Sequence, residues 1–137
     1  MHREIKFRGI WEEEKKFIYG DLLKGYNFYS ERCGVFDYKI AIVKDSKLYG
    51  EIKPETVGQY TGLKDSKGKE IYEGDILEVV DNGFFDSTKI GDVGQVIFQE
   101  CKFFFYNRLA HDLHNNLIGY KIIGNIHENP ELLNGQL

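Results

Sequence analysis

The residues best suited to metal or acid–base chemistry lie in one short segment, His111-Asp112-Leu113-His114. On a helix, two imidazoles three residues apart would share a face, and such pairs contribute to some zinc sites. Zinc needs three or four converging ligands, however, and no further His, Cys or acid stands at ligand spacing nearby. The sequence therefore predicts no metal site and no other cofactor.

A second group of ionisable residues is acidic and follows the middle of the chain: Glu70, Glu73, Asp75 and Glu78. A general acid and a general base need environments that separate their pKa values, and nothing in this spacing provides them. The nearby glycines do not form a phosphate-binding loop, because the Walker pattern is absent and no helix is expected to follow them. The sequence also has no nucleophile elbow. We therefore expect a protein that is not an enzyme.

The cysteines and the chain's apolar segments bear on its cellular compartment. Cys33 and Cys101 are too few for a disulfide framework and are not spaced as zinc ligands, so we expect two reduced thiols. The first residues contain no long apolar core, and nowhere do about 18 apolar residues run together. These features predict a cytoplasmic protein without a membrane span.

The composition favours β structure. In a chain of 137 residues, aromatic residues make up 15%, and 15 Gly stand against 2 Pro, which suits many short strands and turns. The net charge is -4, so strong sequence-independent binding of nucleic acid is disfavoured, because such binding needs many phosphates to be neutralised. A local basic patch remains compatible with this charge.

The densest turn chemistry lies between residues 55 and 75, around which we expect the chain to be organised. Asp65, Ser66, Lys67 and Gly68 predict a type I turn, with Asp bonding its own backbone at the first position and Gly accepting positive φ at the fourth. The turn makes a hairpin of residues 57–63 and 69–72. We call residues 57–72 the hub hairpin and residues 65–68 the hub turn.

Elsewhere the pattern is mostly that of strands, with three exceptions. Residues 24–34 carry Gly, Asn and Ser among scattered aromatics and are expected to form an irregular loop. Residues 108–116 break the alternation, because Leu109, Leu113 and Leu117 recur at helical spacing. Asn129 followed by Pro130 predicts the start of a short helix, with Asn as its N-cap.

Five segments of the chain carry a family resemblance: REIKFR at residues 3–8, FIYGD at 17–21, VGQYTGLKD at 57–65, GKEIYEGDI at 68–76 and IGNIHENPELL at 123–133. Together they resemble the YopX family of phage and prophage proteins. The resemblance implies a single all-β domain, with an N-terminal β subdomain at residues 1–54 packed on an SH3-like barrel at residues 55–137 and at most short helical turns. It also implies a bacterial host cytoplasm, and no established molecular activity.

Two function classes remain. A non-catalytic module that binds a host or phage protein suits a small aromatic-rich β domain without a catalytic constellation. The alternative is a nucleic-acid-binding accessory protein that stacks bases on exposed aromatics beside lysines. The candidate partner-binding residues are Tyr60, Lys64, Lys67, Lys69, Tyr72, Phe84 and Phe85.

We also expect that the protein can form a homo-oligomer. Its basis is a surplus of aromatic side chains, among them the run Phe103-Phe104-Phe105-Tyr106, whose successive side chains point to opposite faces of a strand. Both faces of that strand would then need cover, from the rest of the chain or from a second subunit.

Overall fold

A computed structural model of the protein describes residues 4–30, 34–83, 88–107, 110–115 and 117–134, with the side chains of residues 25–30 and 34–39 left out. In these ranges nearly all regular structure is β, and the only helical segments are the 3₁₀ helices Pro54–Thr56 and Pro130–Leu133. The strands are β1 Phe7–Trp11, β2 Lys16–Ser30, β3 Gly34–Lys44, β4 Lys47–Tyr49, β5 Gly58–Lys64, β6 Glu70–Tyr72, β7 Asp75–Asp81, β8 Val93–Gln99, β9 Lys102–Tyr106, β10 Ala110–Asp112 and β11 Gly119–Asn125. The all-β prediction is confirmed. No helix in the described part of the chain is long and apolar enough to cross a membrane.

The chain divides into two compact units, Met1–Tyr60 and Thr61–Leu137. In the first unit the antiparallel strands are ordered β4-β3-β2-β1-β5. Ile18, Ile42 and Ile52 are buried together at its centre. Trp11 packs edge-on against Tyr49 at its margin, with ring centroids 4.9 Å apart. Alternation along β2 and β3 contributes to this core, because Ile18 and Leu22 in β2, like Ile40 and Ile42 in β3, are an even number of residues apart and face the same side of the sheet.

The first unit also contains the clearest departure from the sequence prediction. Residues expected to form an irregular loop continue β2 as far as Ser30, and β3 begins at Gly34. The two strands pair along this segment, with Tyr26 opposite Tyr38 and Phe28 opposite Phe36. Pairing with β3, which the strand preference of aromatic residues favours, therefore outweighs the turn preference of the Gly, Asn and Ser in this segment.

The second unit contains a five-stranded antiparallel sheet in the order β10-β9-β8-β7-β11. Its core consists of Ile71, Leu77, Val79, Val96, Phe105, Leu113, Ile118 and Tyr120. In the predicted alternation of β9, Phe105 is buried, whereas Phe103 and Phe104 are only partly buried and Tyr106 is exposed. The sheet is open over the described residues, because nothing joins β10 to β11. The predicted SH3-like barrel is therefore not confirmed.

Two local predictions near the C-terminus need correction. Over the described residues 110–115, the helical spacing of the leucines does not produce a helix, because β10 pairs with β9 and places His111 opposite Phe105. The segment at Pro130 is helical as predicted, but the Asn129 side chain does not cap it. The Asn129 Oδ1 atom instead accepts a hydrogen bond from the backbone N–H of Asn125 at 3.3 Å. In both places a contact with another strand or turn outweighs a local preference.

The hub turn has the predicted geometry. The backbone N–H of Gly68 donates to the carbonyl oxygen of Asp65 at 3.0 Å, which closes the four-residue turn. The Asp65 Oδ1 atom accepts from the backbone N–H of Lys67 at 2.9 Å, so the side chain bonds its own turn. Gly68 has a φ of +84°, in the left-handed region that favours glycine.

We expect Gly68→Val to lower the free energy of unfolding by roughly 1–3 kcal/mol, because a β-branched residue is strained at this φ. An added Cβ would meet nothing within 4 Å, so the loss would come from backbone strain alone. Gly68→Asn is the matched control, since Asn tolerates left-handed backbone, and should lose clearly less. Urea unfolding measures both variants. A valine variant as stable as the asparagine variant would contradict the prediction.

Candidate partner-binding cleft beside the hub turn

A cleft of about 230 Å³ lies in the second unit where the hub hairpin meets the chain around β11. Its apolar lining comes from Leu63, Ile71, Leu113, Ile118 and Tyr120, and its polar lining includes Lys64, Asp65, Ser66 and Asn115. Four of the five apolar residues also belong to the core of the unit. The cleft is therefore an opening onto the core and has a polar rim.

The hub turn forms one wall, and the Asp65 carboxylate holds it in place. Asp65 Oδ1 accepts from the backbone N–H of Lys67 and of Lys69, both at 2.9 Å. Asp65 Oδ2 accepts from the backbone N–H of Ile122 in β11 at 3.1 Å. Burial alone would raise the pKa of this carboxyl, but the three backbone hydrogen bonds and the charge of Lys69 outweigh burial and lower it below its usual value.

The hub turn also closes the outer edge of the five-stranded sheet. β11 is the last strand in the order of that sheet, so its outer N–H and C=O groups have no strand neighbour among the described residues. The backbone N–H of Ser66 donates to the carbonyl oxygen of Tyr120 at 2.8 Å, beside the bond from Ile122 to Asp65. The turn thus satisfies groups that an open edge would leave for another chain.

The opposite wall is the segment between β10 and β11. The backbone N–H of His114 donates to Asp112 Oδ1 at 2.9 Å, and that of Leu117 donates to Asn115 Oδ1 at 3.0 Å. His114 Nε2 lies 3.2 Å from the carbonyl oxygen of Thr61, to which it donates in the tautomer protonated at Nε2. Side-chain hydrogen bonds therefore stabilise the conformation of this segment and attach it to β5.

Tyr120 lines the cleft and packs against Phe105, with ring centroids 5.0 Å apart. It is 5% exposed, and its hydroxyl has no hydrogen-bond partner among the described residues. Burial, reinforced by the negative charge of Asp112, raises the pKa of Tyr120 to about 12. At neutral pH the phenol therefore keeps its proton and can offer it only as a hydrogen-bond donor.

The structure separates the candidate residues that were predicted together. Lys64, Lys67 and Lys69 are exposed on and beside the hub turn, and Lys64 lines the cleft. Tyr60 is 6% exposed and Tyr72 is 2% exposed, so the expectation that these rings are exposed is wrong. Both side chains point into the protein because strand alternation places them on buried faces. Phe84 and Phe85 lie outside the described residues.

The other groups considered for chemistry are spread apart. His111 lies against Phe105, while His114 lies against Phe103, with centroid distances of 6.4 Å in each case. Over the ranges that the structure describes, no three His, Cys, Asp or Glu side chains are grouped so that they could hold a metal ion. Asp75 Oδ2 accepts from the backbone N–H of Tyr72 at 2.7 Å, which gives it a structural partner. Cys101 is a free, exposed thiol, and Cys33 lies outside the described residues.

Sequence reasoning missed the second wall of the cleft. The sequence analysis proposed no binding residue in this wall, which includes Asn115, Ile118 and Tyr120. The alternation of Ile118 with Tyr120 is a local signal of a buried face. Nothing local indicated that this face meets a turn more than fifty residues earlier, because that contact depends on hydrogen bonds of high sequence separation.

The fold and the cleft define a small all-β protein with an opening onto the core of its second unit. The sequence profile of the family described as YopX protein matches residues 6–134, so the chain belongs to the YopX family. It is similar to the crystal structure of protein EF1440 from Enterococcus faecalis, with 29% identity and a TM-score of 0.53, over 96% of this chain and 99% of that one. None of the curated proteins compared with the chain matches it.

We expect Asp65→Ala to lower the free energy of unfolding by about 3 kcal/mol at neutral pH, because three backbone N–H groups lose a charged acceptor. The folded-state pKa is lowered, so this contribution is present above the unfolded pKa of about 3.9 and is lost as the pH falls through the lower folded pKa. Urea unfolding at several pH values should show the gap between wild type and variant closing below about pH 4. A gap that is constant with pH would contradict the role of the charge.

Proposed function

We propose that this protein is a non-catalytic interaction module that binds a host or phage protein through the cleft beside the hub turn. The observation that carries the proposal is the size and lining of the cleft. At about 230 Å³ it falls below the roughly 300–1,000 Å³ of small-molecule and cofactor pockets. An opening of this size suits a single anchoring side chain of a partner protein, the kind of contact that dominates many protein interfaces.

The lining indicates the chemistry of the anchor. Leu63, Leu113 and Ile118 offer apolar surface to a hydrophobic side chain. At the rim, Lys64 offers a cation, and Lys67 and Lys69 are exposed nearby on the same hairpin. The negative charge of Asp65 is already engaged by backbone N–H groups. A hydrophobic residue next to a carboxylate is therefore the partner motif with the best complementarity.

The ionisable groups at the cleft support a binding role. The Tyr120 phenol, with a pKa of about 12, is a poor proton-transfer group near neutral pH. The Asp65 carboxylate, with a lowered pKa, is held by its hydrogen bonds and would have to break them to act as a base. Both groups are better suited to fixing the shape of the cleft than to chemistry on a substrate.

Binding of nucleic acid, the alternative function, has less support. The candidate lysines Lys64, Lys67 and Lys69 are exposed. The rings of Tyr60 and Tyr72, which were expected to stack on bases, are buried. In sequence, residues 61–137 contain seven Lys and Arg against twelve Asp and Glu. An acidic unit of this kind repels the phosphate backbone away from the three lysines.

The direct experiment is a selection of random peptides displayed on phage against the full chain, with affinities measured on the free peptides. We expect the selected peptides to share a hydrophobic residue next to an acidic one. Ser66→Trp should fill the cleft and weaken their binding at least tenfold, about 1.4 kcal/mol. Lys67→Trp is the matched control on the next residue of the turn, which does not line the cleft, and should change binding less than twofold.

Three results would contradict the proposal. The selection could enrich no motif, the two tryptophan variants could lose binding equally, or the Ser66→Trp variant could bind as well as wild type. Melting curves of both variants confirm that any loss of binding occurs in a folded protein.

The rim charge is tested separately with Lys64→Glu. We expect slower association and weaker binding of the selected peptides, with a difference that shrinks at high salt, because a rim charge acts through screened long-range attraction. Lys24→Glu makes the same charge change at an exposed position of the first unit and serves as the control. Equal effects of the two substitutions would show that only net charge matters and would contradict a role for Lys64.

A further inference from the structure

The core of the second unit reaches the surface at one end of β8 and β9. Phe98 in β8 is 51% exposed, more than any other Phe, Tyr or Trp side chain that the structure describes. It stands directly opposite Phe103 of β9, and their ring centroids are 5.1 Å apart. Two residues further along each strand, on the same face, Val96 and Phe105 are fully buried. Phe98 therefore continues a buried row of side chains into solvent.

This row of side chains also reaches the wall of the cleft. The Phe103 ring lies against the exposed imidazole of His114, with centroids 6.4 Å apart. The backbone N–H of Leu113, which lines the cleft, donates to the carbonyl oxygen of Phe103 at 3.2 Å. We call Phe98, Phe103 and His114 the aromatic row. Its consecutive rings are in contact, so it forms a continuous surface from the cleft wall to Phe98.

The cleft alone is too small to hold a protein partner. One aromatic anchor buries roughly 150–250 Å², whereas a stable interface takes about 800 Å² from each partner. Most of the contact must therefore be made on the surface next to the cleft. On one side this surface includes the hub turn, where Lys67 is exposed, and on the other side it includes the aromatic row.

We propose that the partner segment whose anchor fills the cleft continues along the aromatic row and places a second apolar side chain against Phe98. This inference rests on the proposed function of the cleft and adds a second contact with the same partner. A single exposed hydrophobic residue is ordinary, but Phe98 is joined to the cleft by ring contacts. Aromatic side chains are also the groups that most often dominate the energetics of protein interfaces.

The charges beside the aromatic row agree with an apolar contact. Lys102 Nζ lies 3.7 Å from Asp112 Oδ2, so the cation and the anion nearest to the row in sequence face each other. The partner therefore does not need to supply a charge at this end of the interface, in contrast to the rim at Lys64.

The spacing of the rings sets the length of the partner segment. Centroids are 6.4 Å and 5.1 Å apart along the aromatic row. An extended chain advances about 3.3 Å per residue, so a segment lying along the row passes it in about four residues. We therefore expect the peptides selected against the full chain to carry a second apolar residue about three to five positions from the anchor.

The test measures the affinity of those peptides for Phe98→Ala, which should bind them about fivefold or more weakly than wild type. Tyr106→Ala is the matched control and should change binding less than twofold. Tyr106 is also an exposed aromatic residue of the second unit, but it lies on the opposite face of β9 from Phe103. Melting curves of both variants confirm that they are folded.

A double-mutant cycle separates a contact from a structural effect. Replacing the second apolar residue of a peptide with Ala should weaken its binding to wild type as much as Phe98→Ala does. The same peptide change should cost little more in the Phe98→Ala variant, because both changes remove one contact. Such coupling supports the proposal.

Independent effects of the peptide change and Phe98→Ala overturn the proposal, as do equal losses in the Phe98→Ala and Tyr106→Ala variants. Wild-type affinity of Phe98→Ala for peptides that Ser66→Trp no longer binds also overturns it. That result removes the aromatic row from the interface and leaves the cleft as a binding site. A selection that enriches no peptide overturns the cleft and the row together.

Discussion

The second unit depends on a single carboxylate, that of Asp65, which accepts backbone hydrogen bonds from two residues of its own hairpin and from one in β11, 57 residues further along the chain. Each such bond to a charged acceptor contributes more than a neutral one, and losing the acceptor would remove the partner of three backbone N–H groups at once. One side chain thus fixes the shape of the hub turn, attaches the turn to the sheet and satisfies an edge strand.

The cleft follows from that attachment. Because the turn lies along β11, it faces the segment that leads into this strand, and the two surfaces leave an opening onto the core between them. The walls are held by backbone and side-chain hydrogen bonds, and the apolar lining is mostly core side chains, so the opening is largely preformed. A preformed opening favours binding, because little conformational entropy has to be lost when a partner side chain enters it.

The sequence predicted the features that local chemistry determines. The hub turn needed only Asp65 at its first position and Gly68 at its fourth, and the alternation in β9 correctly separated Phe105 from Phe104. Features set by distant contacts were not predictable in the same way. Tyr60 and Tyr72 are buried because of the strands around them, and residues 24–30 form a strand because β3 pairs with them, despite their turn-forming residues.

The most direct test of this account is residue-resolved amide hydrogen exchange in wild type and in Asp65→Ala. If the carboxylate joins the hub turn to β11, the amides of Lys67, Lys69, Ser66 and Ile122 should lose protection together. The amide of Gly74, which donates to the carbonyl oxygen of Val96 elsewhere in the unit, should change only as far as global stability does. Full protection of Ser66 and Ile122 in the variant, with loss confined to Lys67 and Lys69, would contradict the account.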